Sequence, residues 1–313
     1  MNRKKTLDWL LYRCLEGVFF ICLALLRLLP PKLGRRSLRP ALKIIIFLMN
    51  PRRRIVKNIS AAFGETYSPA TKNGLAKGVQ DHFVRNLTDC LLQLTDSEHA
   101  RLNVAVEGLE NLNAALAKGN GVIALGAHLG NFVLVGTRLG MEGYPVSTLF
   151  HVPADRRLKN IIERHLPSFH QQVIPSRPRR LAVRRVFTAL KHNEIVFILG
   201  DNLKKGKVRT FLFGQRVQTP RGPVTLALRS GAAVVPMYLI RNYRGGLQLV
   251  IEPEMLLIRN GNVYEDVTGN TRQIVRYLEV LIGRYPDQWN WLTVRMKKYR
   301  GQVEHAGVDN AVK

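Results

Sequence analysis

Apolar positions along the chain fall into three regimes. Leu7 to Leu29 is dominated by Leu, Phe, Val, Ile, Ala and Cys and approaches the roughly 20 residues needed to cross a hydrocarbon core. Arg13 and Glu16 interrupt it at a helical spacing that lets them partly neutralise each other, and only Gly17 to Leu26 is free of charge. Residues 55–100 then carry apolar positions at helical intervals, among them Phe83, Leu87, Leu91 and Leu94, which predict two or three helices. From about Val104 the period changes again. Short β-rich runs at Gly121–Ala127, Val146–Phe150, Ile195–Leu199 and Ala233–Ile240 alternate with amphipathic segments at Phe132–Met141, Arg156–His165, Arg179–His192 and Pro223–Ser230. Alternation of this kind predicts an α/β fold with a mostly parallel sheet flanked by helices. Asn242 to Gly246 reads as a turn into a further strand, Leu247–Ile251, pairing antiparallel at an edge. The expected organisation is an anchor helix over 1–30, a basic helical region over 31–103, an α/β domain over 104–300 and a frayed tail over 301–313.

Charge alters this picture more than composition does. Among 313 residues, 48 Lys and Arg face 22 acids, a formal charge of +26. A surface so basic attracts nucleic acid or anionic headgroups, and total charge does not separate the two. Position does. Arg3, Lys4 and Lys5 precede the long apolar run, while Lys32, Arg35, Arg36, Arg39 and Lys43 follow it, and the short apolar stretch Ile44–Met49 ends in Pro51-Arg52-Arg53-Arg54. Arginine clusters set against apolar runs fit a lipid surface, not nucleic acid, with the larger downstream cluster keeping the rest of the chain in the cytoplasm. No small-x-small cleavage site follows the apolar run, so a membrane anchor is expected there; a buried core helix is the other reading. Cys14, Cys22 and Cys90 have no metal-ligand spacing, and no disulfide framework is implied.

The stretch with the most chemistry is Gly121-Val-Ile-Ala-Leu-Gly-Ala-His128-Leu-Gly130-Asn131-Phe132. A buried strand ends in a histidine, and a small turn opens a helix. In open α/β sheets the ligand crevice lies beyond the carboxyl ends of the strands, so His128 is expected to face it. An imidazole there is suited to act as a general base on a hydroxyl, with Gly130 allowing close substrate approach and helix-start amides stabilising an oxyanion. A hydrogen-bonded structural histidine is the alternative.

Four segments, His128-Leu-Gly-Asn-Phe, Gly200-Asp201-Asn202 with Phe211-Leu-Phe-Gly214, Thr219-Pro-Arg-Gly-Pro through Gly231-Ala-Ala-Val-Val-Pro236, and Tyr285-Pro-Asp-Gln-Trp289-Asn-Trp291, occur in this order. In them the chain resembles the lipid A biosynthesis late acyltransferases of lauroyl or myristoyl type, over most of residues 50–298. The resemblance implies a glycerophosphate-acyltransferase-like fold on the cytoplasmic face of a bacterial inner membrane. It implies acyl carrier protein, or acyl-coenzyme A in relatives, as donor and an anionic lipid as acceptor, without a metal or dissociable cofactor. An acidic carrier and phosphorylated lipids would both be recruited by a cationic platform.

Two positions depart from the family pattern. Members typically carry His, four residues and then Asp or Glu, whereas here that last position is Val133, which accepts no hydrogen bond. The Trp-x-Trp segment often continues to a His before Arg, where this chain has Thr293, Val294 and Arg295. Asp201, after the strand Ile195–Leu199, is expected on the same sheet edge as His128 and is the candidate substitute acid; its other reading is a loop cap. Asp155 and Glu163 are weaker alternatives. Substrate contacts are expected from Gly130, Asn131, Thr219, Arg221 and Lys207, with Lys204 and Lys205 beside the last. Arg177, Arg179 and Arg180 read as a solvated or lipid-facing helix start, and Trp289 and Trp291 either rest in a headgroup layer or pack in the core. The departures also admit a catalytically impaired relative that binds lipid or acts as a scaffold, or an acyltransferase with another lipid acceptor.

Overall fold

The computed structural model describes residues 31–93, 104–151, 171–203 and 206–292, with Gly17, Ile21 and Ala24 as isolated helical positions. The expected anchor over 1–30 lies outside the described residues except at those three positions, as do the expected helix Arg156–His165, Asp155, Glu163, Lys204, Lys205, Thr293 and the tail. Among the described residues no helix is long and apolar enough to cross a membrane.

Three helices lead the described chain: α1 (Pro31–Met49), α2 (Arg52–Phe63) and α3 (Pro69–Gln93). Leu38, Leu42 and Ile46 of α1, at helical spacing, close a seam with Val84 and Leu91 of α3, while Ile44 and Phe47 of α1 remain on the outside. Ile55 and Ile59 of α2 join Val79 of α3 in the main core, and Asn58 Nδ2 donates to the Trp291 carbonyl at 2.7 Å. The helical region is thereby fixed to the far end of the chain.

Seven strands make the sheet: β1 (Val104–Glu107), β2 (Val122–Gly126), β3 (Val146–Phe150), β4 (Gln171–Pro175), β5 (Ile195–Leu199), β8 (Ala233–Arg241) and β9 (Leu247–Ile251). Their order is β1-β9-β8-β2-β5-β3-β4, parallel except between β8 and β9. Four helices alternate with the strands, α4 (Leu109–Leu116), α5 (Val133–Met141), α6 (Arg179–Lys191) and α7 (Gly222–Ser230), and α8 (Val263–Arg284) follows β9. Every residue of β2 and β8 is buried, as expected of interior strands covered on both faces. Alternation along β2 and β5 separates two cores: Ile123, Leu125, Val196 and Ile198 meet α6, α7 and α8, whereas Val122, Ala124, Ile195 and Phe197 meet α4 and α5.

The mixed α/β reading and its mostly parallel sheet therefore hold. The antiparallel pairing of Leu247–Ile251 also holds, but the strand is not the edge, because Val104–Glu107 pairs parallel outside it. That four-residue strand is too short to carry its own alternation signal. A hairpin of β6 (Val208–Leu212) and β7 (Gln215–Thr219) turns at Phe213 and Gly214, both with positive φ, as a two-residue hairpin turn requires.

The strand β8 is tied to α3 by a buried ion pair between Arg241 and Asp89. Arg241 also donates to the Gly245 carbonyl at 2.9 Å, while its backbone amide donates to Gln288 Oε1 at 2.9 Å. Removing one member of such a pair leaves an uncompensated buried charge. Asp89→Ala is therefore expected to destabilise the protein by about 3 kcal/mol or more, read as a lower midpoint in denaturant unfolding with an unchanged slope.

Candidate active site

The sheet register brings the first two site residues together. Gly126 of β2 lies opposite Leu199 of β5 in a parallel pair, so running two residues past each strand end sets His128 against Asp201. His128 Nδ1 is 2.7 Å from Asp201 Oδ1, and the His128 backbone amide donates to Asp201 Oδ2 at 2.8 Å. Trp289 Nε1 donates to the same Oδ2 at 2.9 Å. Asp201 thus accepts three hydrogen bonds while its side chain is only 1% exposed, and His128, at 28%, reaches the surface of a cavity. Burial opposes the carboxylate charge, but the His128 charge and ring hydrogen bond, the Trp289 indole and the His128 amide outweigh it and hold Asp201 below the usual carboxylate range. A carboxylate only accepts, so Nδ1 is the proton-bearing nitrogen toward Asp201, and Nε2 is the one turned from it.

The turn after His128 is held by its neighbours. Gly130 has φ +57° and a Cβ there would stand 1.9 Å from the Leu239 carbonyl oxygen, so glycine is needed for the approach to β8. Gly130 also lines the cavity, where the expected approach of substrate would occur. Its amide donates to the Gln288 carbonyl and the Asn131 amide to the Leu239 carbonyl, at 2.9 and 2.8 Å. Those two amides are therefore not oxyanion donors. At the first turn of α5, the amides of Phe132 and Val133 have no acceptor among the described residues, and both residues line the cavity.

Of the other expected substrate contacts, Asn131 lines the cavity and Thr219, Arg221 and Lys207 do not. Asn131 is 2% exposed; its Nδ2 donates to the Asn86 carbonyl at 3.3 Å and its Oδ1 accepts from Cys90 Sγ at 3.4 Å, so both ends of its amide tie the turn to α3. Thr219 is buried on β7 with its hydroxyl 2.7 Å from that of Thr210, a cross-strand bond away from the cavity. Arg221 stands at the start of α7 without a side-chain capping bond; α7 leads into the strand β8 and so starts at the carboxyl edge of the sheet, where Arg221 is exposed without lining the cavity. Lys207, at the entry to β6, is also exposed and outside the cavity lining. Trp289 and Trp291 are core residues, packed edge to face at 4.7 Å.

The cavity measures about 190 Å³ and lies between α3, the His128 turn and the segment after α8. Val79, Phe83, Leu87, Phe132 and Val133 give it apolar walls. On its α3 side, His82 Nε2 pairs with Asp287 Oδ2 at 3.2 Å. The hydrogen bond from His82, against a smaller opposing effect of burial, lowers the Asp287 carboxyl from its ordinary value. Cys90 also lines the cavity, and burial, reinforced by Asp89, pushes its thiol up to about 12, which removes it as a nucleophile near neutrality. Among the described residues no group of three or more His, Cys, Asp or Glu is arranged to hold a metal ion.

An α/β sheet with a histidine–carboxylate pair at the carboxyl ends of adjacent parallel strands, opening on a small cavity, is an arrangement suited to general-base chemistry. The sequence profile described as bacterial lipid A biosynthesis acyltransferase matches residues 2–298, and the chain belongs to that family. Phosphatidylinositol mannoside acyltransferase of Mycobacterium tuberculosis is 26% identical over 211 residues, covering 65% of each chain. Its counterpart in Mycolicibacterium smegmatis is 24% identical over 205 residues, 64% of this chain and 65% of the relative. Lipid A biosynthesis palmitoleoyltransferase of Escherichia coli is 26% identical over 200 residues, 61% of each. The matched part of this chain spans less than two thirds of these relatives' lengths.

Sequence reasoning missed the Trp289 bond to Asp201 and the pair His82–Asp287. Both join residues far apart in the chain, 88 and 205 positions, and neither side of either pair carries a local pattern that names its partner.

Proposed function

We propose that this protein moves a fatty acyl group from a thioester on acyl carrier protein to a hydroxyl of a glycolipid of the lipid A precursor type, at the cytoplasmic face of a bacterial inner membrane. His128 is the general base. The observation that carries this reading is the 2.7 Å contact of His128 Nδ1 with Asp201 at the lip of the cavity. Nδ1–H donated to the carboxylate leaves Nε2 as the basic nitrogen. It takes the hydroxyl proton as the oxygen bonds to the thioester carbon, and the C–S bond then breaks while the leaving sulfur takes that proton back. Ester and thiol are the products, and no further reactant is required. The Phe132 and Val133 amides are the candidate donors to the oxyanion.

The membrane side of the proposal draws on α1 and its junction with α2. Ile44 and Phe47 are 60% and 79% exposed on α1, and Arg39 is exposed on the same helix. Arg52, Arg53 and Lys57 surround an open cavity of about 450 Å³ with Asn50 and Asn73. Exposed apolar residues beside clustered cations suit an anionic lipid surface better than nucleic acid. The carboxyl edge of the sheet, where Arg177, Arg179, Arg180 and Arg221 are exposed, suits an acidic carrier or phosphorylated lipid. The names of the relatives, one acting in mannoside and one in lipid A acylation, support a glycolipid acceptor.

The competing reading, a relative that binds lipid without turnover, started from Val133. That valine is 48% exposed at the cavity, and Asp201 supplies a carboxylate to the ring instead. The test is acyl transfer by the full chain in anionic vesicles, with fatty-acyl carrier protein and a panel of glycolipid acceptors, beside Val133→Glu. The native protein is expected to form ester at a rate within about tenfold of the variant, or 1.4 kcal/mol in barrier. A silent native protein with an active Val133→Glu would establish the impaired relative and end the proposal.

A further inference from the structure

Three hydrogen bonds hold Asp201, and two of them come from His128 itself, through its ring Nδ1 and its backbone amide. Those two donors move with the residue that the carboxylate is meant to orient. The third, Trp289 Nε1 at 2.9 Å from Oδ2, is the one donor to Asp201 from elsewhere in the fold among the described residues. The terminal torsion of an aspartate is soft, so an independent donor decides which oxygen faces the ring. Trp289 holds that position.

The indole is itself located by a strip that runs beside the His128 turn. Leu129 and Trp289 form an antiparallel bridge, flanked by bonds from the Gly130 amide to the Gln288 carbonyl and from the Asn290 amide to the His128 carbonyl, both 2.9 Å. Gln288 pairs its side chain with both backbone groups of Arg241: Oε1 accepts from the amide at 2.9 Å, and Nε2 donates to the carbonyl at 2.8 Å. This fastens the strip to β8. Behind it, Trp291 packs edge to face on Trp289, donates from Nε1 to the Pro286 carbonyl at 2.6 Å, and accepts at its own carbonyl from Asn58 of α2. At 1% exposure the Trp289 N–H is shielded from solvent, and Asp201 is the acceptor that satisfies it.

We propose that Trp289 is a positioning residue of the active site: its indole N–H holds Asp201 Oδ2, keeps Oδ1 on His128 Nδ1, and thereby fixes the ring tautomer in which Nε2 takes the proton. The packing of the ring on Trp291 asks only for an aromatic of the same size, whereas the bond to Asp201 asks for the N–H. Without that donor the carboxylate loses its fixed aim, and a smaller share of the rings carries the proton on Nδ1. A ring protonated on Nε2 instead cannot accept a second proton there while it stays neutral. This inference rests on the reading of His128 as the base.

The test changes the donor and leaves the packing. In the full chain in lipid nanodiscs, Trp289 alone is replaced by benzothienylalanine, whose sulfur stands where the indole carries its N–H, and in a second protein by 7-azatryptophan, which keeps the N–H. Nitrogen-15 spectra of the histidines read the His128 tautomer, assigned by the signals absent from His128→Ala, and single-turnover transfer from fatty-acyl carrier protein reads the rate. The sulfur protein is expected to lose Nδ1–H tautomer at His128 and to transfer about tenfold more slowly, as for one hydrogen bond to a charged acceptor, with half-saturation by the carrier within about twofold of native. The azatryptophan protein keeps the native tautomer and a rate within about twofold. In Asp201→Asn the sulfur exchange lowers the rate no further, because Trp289 acts through the carboxylate. A native tautomer and rate with sulfur at 289, equal losses with both analogues, or the same loss in the Asp201→Asn background overturns the assignment. Failure of the base assignment has a different signature: His128→Ala transfers at the native rate, while the His128 tautomer still responds to sulfur at 289.

Discussion

His128→Ala is expected to lower acyl transfer about 10³-fold, the middle of the range for loss of a positioned general base. The variant should remain folded. His128 is at the cavity surface, and Asp201 keeps two of its three donors, the amide of residue 128 and the Trp289 indole. The cost in stability is therefore confined to about 1–3 kcal/mol for one charge-assisted hydrogen bond. Without the ring, burial at Asp201 is opposed less strongly, and its carboxyl rises from the depressed value of the native protein. Two measurements check this: single-turnover transfer from fatty-acyl carrier protein, and thermal unfolding of both proteins. Equal transfer rates would falsify the role of His128 as base, and a collapse of the fold would show that the residue is structural.

Much of this arrangement was legible because it is local or follows from parallel register. The sequence delimits the strand Ile195–Leu199 to the residue, and the shared edge of Asp201 and His128 follows from it. The helices α5, α6 and α7 came from the same alternation. What escaped depends on long-range closure. Val104–Glu107 becomes a strand only because β9 offers it a partner. The helix α8 did carry signals that went unread: Asn262 accepts from the amides of Tyr264 and Glu265 at its start, acids fill the first turn, and Val267, Ile274, Val275, Leu278 and Leu281 line one face. Gly130 and Asn131 do line the cavity beside His128, but the sequence does not show that the Leu239 carbonyl demands glycine at 130 or that Asn86 and Cys90 of α3 hold the Asn131 amide. Nearness in sequence locates a turn and does not say which way its groups face.

Asp201→Asn is expected to lower transfer about 10³-fold while nearly preserving shape, through the imidazole tautomer. The native carboxylate accepts from His128 Nδ1, the His128 amide and Trp289 Nε1. An asparagine has one accepting oxygen and an NH2 group that only donates, so it cannot receive all three. With the oxygen kept by the amide and the indole, the NH2 faces Nδ1, which must then accept, and the ring proton moves to Nε2, the nitrogen that has to take the proton from the hydroxyl. The pH dependence of stability changes as well. The Asp201 pKa is depressed in the folded protein, so the stabilisation is fully present above the unfolded value of about 4 and is lost as pH falls below it through the folded value. Native protein should therefore lose stability on acidification below the unfolded value, and the asparagine variant should lack this contribution, giving a flatter profile in denaturant melts taken from about pH 5 downward. A variant with native transfer rates and an unflattened acid profile would show that Asp201 neither orients His128 nor carries a charge coupled to folding.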